Sequence, residues 1–260
     1  MATAPANPLP LFYNDLQPLS SNVHADWKAR RVDSAPFLAG AHAVPLTVDE
    51  FGPASRFYPI VLASGENPIP LALMGLNEGV NVFVDADGKL VSEAYVPAYV
   101  RRYPFLLAKL RPDNDDLSLC FDSTSEAIGA FEEGDALFED GKPSTTTQDI
   151  LGFCEQFEQA GQRTANFVNQ MREYKLLMDG EVSIQPEGAT QPFIYRGFQM
   201  VSEDRLRELR GDQARKLIQS GALALVYAHL FSLNIIRDIF FKQMQLGKVP
   251  LPEGLVPQTA

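Results

Sequence analysis

The sequence holds few of the side chains on which metal, redox and nucleophilic sites are built: two cysteines and three histidines in 260 residues, with a single tryptophan. Cys120 and Cys154 each sit in an apolar context, Ser-Leu-Cys-Phe and Gly-Phe-Cys-Glu. Two isolated cysteines make neither a disulfide framework nor a zinc site, so buried reduced thiols are expected. His24, His42 and His229 have no metal-ligand spacing among themselves and no cysteine nearby. A glycine-rich phosphate loop, Gly-x-Ser-x-Gly and His-Glu-x-x-His are all missing. Acidic residues are plentiful but unordered, which leaves no pair to assign to acid–base work. The chain is therefore read as having no catalytic set, no cofactor and no metal.

Long hydrophobic runs are also missing. The most apolar stretch, Gly221 to Ile236, is interrupted by His229, Ser232 and Asn234 and is too short to span a bilayer. A buried helix is expected there. Met1 to Pro10 has no basic residue and no continuous apolar run, so it does not read as a Sec signal, and the expected location is the cytoplasm. Positive charge is scarce. The formal net charge is -11, and the one dense basic cluster is Lys28, Arg30 and Arg31. Such a chain repels nucleic acid and anionic lipid unless basic residues cluster, and this cluster is short, so nucleic acid is not expected as a partner.

What is present is apolar and aromatic. Hydrophobic residues make up 45% of the chain, with 17 Phe and 8 Tyr, enough for a full core. The pattern indicates an α+β protein: an antiparallel β-meander with a helical C-terminal half. Residues 1–20 carry Pro5, Pro8, Pro10 and Pro18 and read as an extended arm. Residues 21–146 read as the β-rich part, 147–246 as a helical part packed on it, and 247–260 as an extended tail. Strands are expected near 43–46, 58–63, 69–76, 80–84, 89–91 and 117–121. Thr47, Asp49 and Glu50 open a short helix. Tyr95 to Leu110 reads as a helix kinked or split at Pro104, with Tyr95, Tyr99 and Tyr103 on one face. The acidic, turn-rich stretch 122–146 reads as a hinge.

Residues 147–178 carry apolar positions in steps of three and four, among them Ile150, Cys154, Phe157, Val168 and Met171. That is one long amphipathic helix of roughly 45 Å. Residues 179–192 read as a loop, Gly197 to Val201 as a strand, and Ser202-Glu203-Asp204 as the cap of another helix. The apolar helix then runs from Gly221 to about Gln245 and stops at Gly247 and Pro250.

Three constellations carry candidate chemistry. Asp85-Ala86-Asp87-Gly88 resembles the start of a calcium loop, but the closing glutamate position is Val96, so a hairpin turn is favoured. On the apolar helix, His229 lies three residues before Ser232. A buried histidine satisfied by a hydroxyl or carbonyl is favoured there over a reactive one. Tyr227, Asn234 and Asp238 form a polar line on the same cylinder, read as a solvent-facing stripe or as a contact line. The densest cluster is Tyr95, Tyr99, Arg101, Arg102 and Tyr103. It can grip a carboxylate or stack on a planar group, or serve the chain's own packing. Adjacent arginines cannot both point one way.

Six segments together resemble one known family: Arg56-Phe57-Tyr58-Pro59-Ile60-Val61-Leu62, Leu71-Ala72-Leu73-Met74-Gly75-Leu76, Asn81-Val82-Phe83-Val84-Asp85, Tyr95-Val96-Pro97-Ala98-Tyr99-Val100-Arg101-Arg102-Tyr103-Pro104-Phe105, Leu119-Cys120-Phe121-Asp122 and Tyr227-Ala228-His229-Leu230. In order, they are similar to the SapC-like family of bacterial proteins, over roughly residues 25–245. The family's name is linked to bacterial surface layers and is shared with a peptide-transport permease, which a chain without membrane spans does not match. Members are often encoded near TonB-dependent receptors, cupin-like proteins and proteins similar to flavin-dependent tryptophan halogenases. The resemblance implies an accessory role in nutrient uptake or in modifying an imported compound.

The expected function is thus that of a non-catalytic binding or adaptor protein. Its partner would be a small anionic or aromatic ligand, or another protein. The expected contact residues are Tyr95, Tyr99, Arg101, Arg102, Tyr103, Tyr227 and His229. The alternatives are an enzyme with a site near His229 and a surface-layer component. Oligomeric state is not legible in the sequence.

Overall fold

The computed structural model describes residues 9–85, 87–91, 93–110, 116–187 and 190–249. Contacts divide the chain into two compact units, each assembled from separate stretches: Met1–Ala35 with Ala98–Ala160, and Pro36–Pro97 with Gly161–Ala260. This differs from the linear division at residue 146, because strands distant in sequence close each unit.

In the first unit, Leu16–Pro18, Leu117–Asp122 and Phe105–Lys109 form an antiparallel sheet in that order. Lys28–Ala29 pairs with Ile128–Gly129 on one side and Asp135–Ala136 on the other. A small hairpin joins Phe138–Glu139 to Lys142–Pro143. The stretch expected as a hinge is thus short-stranded structure within this unit. Phe121, Leu137 and Cys154 anchor its core, with Phe105, Ile128 and Trp27 packed against them. Cys120 belongs to a second cluster with Tyr13 and Leu106. Both thiols are free and buried, and burial pushes both up, Cys154 to about 11.

The helix expected over 95–110 is one turn, Ala98–Arg101, followed by a strand, Phe105–Lys109. Pro104 supplies no N–H and blocks further helix. Phe105-Leu106-Leu107 then pairs with Leu119-Cys120-Phe121, so tertiary pairing overrides local propensity. Tyr95, Tyr99 and Tyr103 consequently share no helix face.

The long helix spans Thr145–Glu173. Ile150 and Cys154 pack in the first unit's core. In the second unit the Phe167 ring meets Phe51 edge-on at 5.8 Å. The helix stops earlier than expected because Lys175 adopts a positive φ of 55° and the chain turns into a strand.

The second unit holds a five-stranded antiparallel sheet: Leu177–Ile184, Phe193–Val201, Ile60–Ala63, Pro70–Leu73 and Ala43–Pro45, in spatial order. Of the loop expected over 179–192, residues 179–184 belong to the first strand of its first hairpin. Gly180, inside that expected loop, is the seat of the Phe198 ring, since a Cβ there would lie 2.0 Å from that ring. Val80–Val84 forms no strand; a single bridge links Val84 to Leu90. Between them, Asp85 Oδ1 accepts from the backbone N–H groups of Asp87 and Lys89 at 2.9 and 2.8 Å, which is turn chemistry.

The apolar helix comprises Ala222–Ser232, a 3-10 turn at Leu233–Ile235, and Ile236–Gln245. As one stretch, Ala222–Gln245 is long and apolar enough by composition to cross a membrane, and it outruns the segment counted from the sequence. In the folded chain its buried residues recur at steps of three and four: Ala222, Val226, His229, Ser232, Ile236, Ile239, Phe240 and Gln243. Three of these are polar, and each is bonded. Ser232 Oγ accepts from Ile60 N at 2.9 Å and donates to the His229 carbonyl at 2.6 Å. Gln243 Oε1 accepts from Leu76 N, and its Nε2 donates to Asn77 Oδ1 at 2.9 Å.

Candidate functional site

His229 is 2% exposed, and both of its ring nitrogens are committed. The Val201 N–H donates to Nε2 at 3.0 Å, so Nδ1 carries the proton and donates to the Ile60 carbonyl at 2.7 Å. The ring thus staples two adjacent strands of the sheet to the helix. Burial disfavours the cation and pulls the pKa down to about 4, while the bond to Ile60 resists that shift. Between the ordinary value of about 6.5 and this one, the unfolded chain binds a proton that the folded chain refuses. Stability therefore falls as pH drops through that window, by about 3 kcal/mol in all. His24 is shifted in the same direction by burial. The His229 share is read as the difference between wild type and His229→Gln in urea unfolding at pH 7 and pH 4. Equal slopes for the two proteins would remove this assignment.

The tyrosine–arginine segment also serves the fold. Tyr99, Arg101, Arg102 and Tyr103 belong to the first unit, and Tyr95, Tyr227 and His229 to the second. Arg102 is 8% exposed, with its guanidinium 4.2 Å from the Phe157 ring centre and 4.5 Å from that of Tyr99. Its charge is met by Glu158 at 3.5 Å. Arg101 is exposed and lies over Phe153 at 5.2 Å, so the two arginines do diverge. Tyr99 donates to the Leu11 carbonyl, and Tyr103 to Asp122 Oδ2 at 3.4 Å. In the second unit, Tyr95 donates to the buried Glu50 at 3.1 Å. Tyr227 is exposed, its ring 5.6 Å from Phe231.

The concave feature with ligand-like chemistry lies on the second unit's sheet and was not among the residues singled out from the sequence. The register Val61↔Leu71, Ala43↔Leu73 and Ala63↔Phe198 places these side chains on one face. They floor a cleft of about 140 Å³ bordered by Val182, Tyr195 and Ile236, with His42 and Arg196 also in its lining. Arg196 is held by Glu181 at 2.6 Å. The Tyr195 hydroxyl is shut off from water and has no hydrogen-bond partner among the described residues. Burial raises its pKa, so it is a neutral phenol, free to donate or accept. Buried hydroxyls are normally paired, and an unpaired one costs about 1–3 kcal/mol.

A wider hollow of about 760 Å³ runs along Ala29–Arg31 and residues 130–135 of the first unit. It is an open surface of mixed charge. Arg30 there stacks on Phe131 at 4.3 Å and donates to the Glu126 carbonyl at 2.7 Å, so its cation is already engaged. The smaller cleft is the better site because it is the more enclosed of the two and has an apolar floor beside Tyr195. Its lining offers no sequence signal, since alanines, valines and leucines from separate strands carry no spacing. Among the described residues, no group of three or more His, Cys, Asp or Glu side chains could hold a metal ion.

A family model described as SapC matches residues 19–239. No curated protein and no solved structure matches the chain.

Proposed function

The chain belongs to the SapC family, and from that premise we propose that it is a non-catalytic binding protein that holds a small aromatic compound in the cleft of its second unit. The observation that carries this reading is a cleft of about 140 Å³ with an apolar floor, whose wall includes Tyr195, a side chain with a buried hydroxyl and no hydrogen-bond partner for it among the described residues. Apolar cavities of about 150 Å³ take a single benzene-sized ring. The ligand class is therefore one ring with one hydrogen-bonding substituent, which reaches the phenol once the Tyr195 side chain turns toward the cleft, as the ring displaces solvent from Val61, Leu71 and Leu73. This role is accessory to the uptake or modification of an imported compound, as the resemblance implies.

The test uses phenol and benzene as probes in calorimetric titrations. Phenol should bind about tenfold more tightly, because only phenol completes the Tyr195 bond. Tyr195→Phe should erase that preference and leave benzene binding intact. Ala63→Phe, which fills the floor, should abolish both. An unchanged phenol preference in Tyr195→Phe would refute the assignment.

A further inference from the structure

The outer face of the apolar helix is exposed among the described residues, and its sequence has an internal symmetry. Directly opposite the buried Ile236 run Tyr227, Phe231, Asn234, Asp238, Phe241 and Gln245, all exposed. Phe231 is 68% and Phe241 48% exposed, more than packing within one chain requires. Phe231 and Phe241 are equidistant from Ile236 along the chain, as are Asn234 and Asp238, and Tyr227 and Gln245.

We infer that this helix pairs antiparallel with its counterpart in a second copy of the chain, about a two-fold axis at the level of Ile236. Antiparallel pairing on that axis sets Phe231 against Phe241 of the other copy. It also sets Asn234 against Asp238, and Tyr227 against Gln245. Every match is complementary: ring on ring, amide donor to carboxylate, phenol to amide. The Asn234 amide spends one N–H on the Phe231 carbonyl and keeps another for the carboxylate. Such a contact is isologous and closes at two copies.

A lipid surface fits this face less well. Asn234 and Asp238 occupy its centre, where a bilayer would have to desolvate an amide and a carboxylate. The net charge of -11 opposes anionic headgroups besides. In the antiparallel pair the same polar centre meets its own complement. The aromatic stripe and its flanks offer on the order of several hundred Å² per copy, short of the ~800 Å² of a standard interface. The dimer is accordingly weak and reversible, so its association is read from micromolar to millimolar chain concentrations.

Sedimentation equilibrium of the full chain across that concentration range tests this, with thermal melts to show that each variant is folded. Wild type should pass from monomer to dimer. Phe231→Asp should weaken association at least about tenfold. Asn234→Asp sets like charges opposite each other and should weaken it by about tenfold. Adding Asp238→Asn to that variant exchanges donor and acceptor and should restore affinity to within about twofold of wild type. A chain that stays monomeric, or an Asn234→Asp variant that associates normally or is not rescued, overturns the pairing. Binding of a monomeric wild-type chain to neutral phosphatidylcholine vesicles, lost in Phe231→Asp, would assign the face to lipid and overturn it as well.

Discussion

Replacing His229 by alanine is expected to destabilise the second unit by about 4 kcal/mol. The imidazole satisfies the Ile60 carbonyl and the Val201 N–H, both inside the sheet. Alanine leaves both groups buried and unpaired, at a cost of about 1–3 kcal/mol each, partly relieved by water entry. It also opens a cavity where the ring was. Glutamine recovers one bond at best, because its flexible chain cannot fix a donor and an acceptor on opposite edges of a ring. Ser232→Ala is milder, about 1–2 kcal/mol, since a single hydroxyl serves Ile60 N. Because His229 and Ser232 share Ile60, the double variant should lose less than the sum of the two. Chemical denaturation of the set measures this, and strict additivity would show that the two side chains do not act on a common strand.

The second large effect is expected at Asp122, in the first unit. Its side chain is fully buried and collects five donors. Oδ1 accepts from Thr124 Oγ1 at 2.7 Å, Thr124 N at 3.0 Å and Asp15 N at 3.3 Å. Oδ2 accepts from Asn14 N at 2.8 Å and from Tyr103. Burial pushes the carboxyl pKa up, but the bonds from Thr124, Asn14 and Asp15 outweigh it and hold the group below the ordinary carboxylate range. The stabilisation is therefore complete above about pH 4 and is lost as pH falls through the depressed folded value. Asp122→Ala should cost about 3–5 kcal/mol, because it strands donors from three chain segments. The N-terminal strand Leu16–Pro18 leans on this knot as well as on its pairing with Leu117–Asp122. Limited proteolysis of Asp122→Ala should thus cut first within residues 9–20. Cleavage there at the wild-type rate would mean that the strand is held by its ladder alone.

These two residues show what a sequence discloses and what it hides. His229 was legible as a satisfied core histidine because it sits three residues from Ser232 on a helix with clear 3.6-residue periodicity. Asp122 was not legible, because two of its five donors, the Asn14 and Asp15 backbone N–H groups, lie over a hundred residues upstream. The long helix emerged from its apolar spacing to within a few residues at each end. The segment after Tyr95 did not, because the pairing that makes Phe105–Lys109 a strand is supplied by Leu117–Asp122. The start of the loop expected over 179–192 is strand for a related reason, since Gly180 makes room for a ring from the neighbouring strand.

The same distinction governs the site. Aromatic and arginine residues close together looked like a binding surface. Arg102 instead spends its charge on Glu158 and on two rings of its own unit. Tyr227, Asn234 and Asp238 were visible as a polar line, and they do face solvent. The cleft was invisible because it is a property of register: Ala43, Val61, Ala63 and Leu73 matter only once antiparallel pairing puts them on one face.

The most direct test of the binding role is a crystal structure of the protein isolated from the organism that makes it, with native mass spectrometry of the same sample. The account predicts extra mass of one small aromatic compound per chain, and density in the cleft with a polar atom within hydrogen-bonding distance of Tyr195 Oη. A cleft that holds only water or collapses around Tyr195, in a chain of unmodified mass, would contradict it.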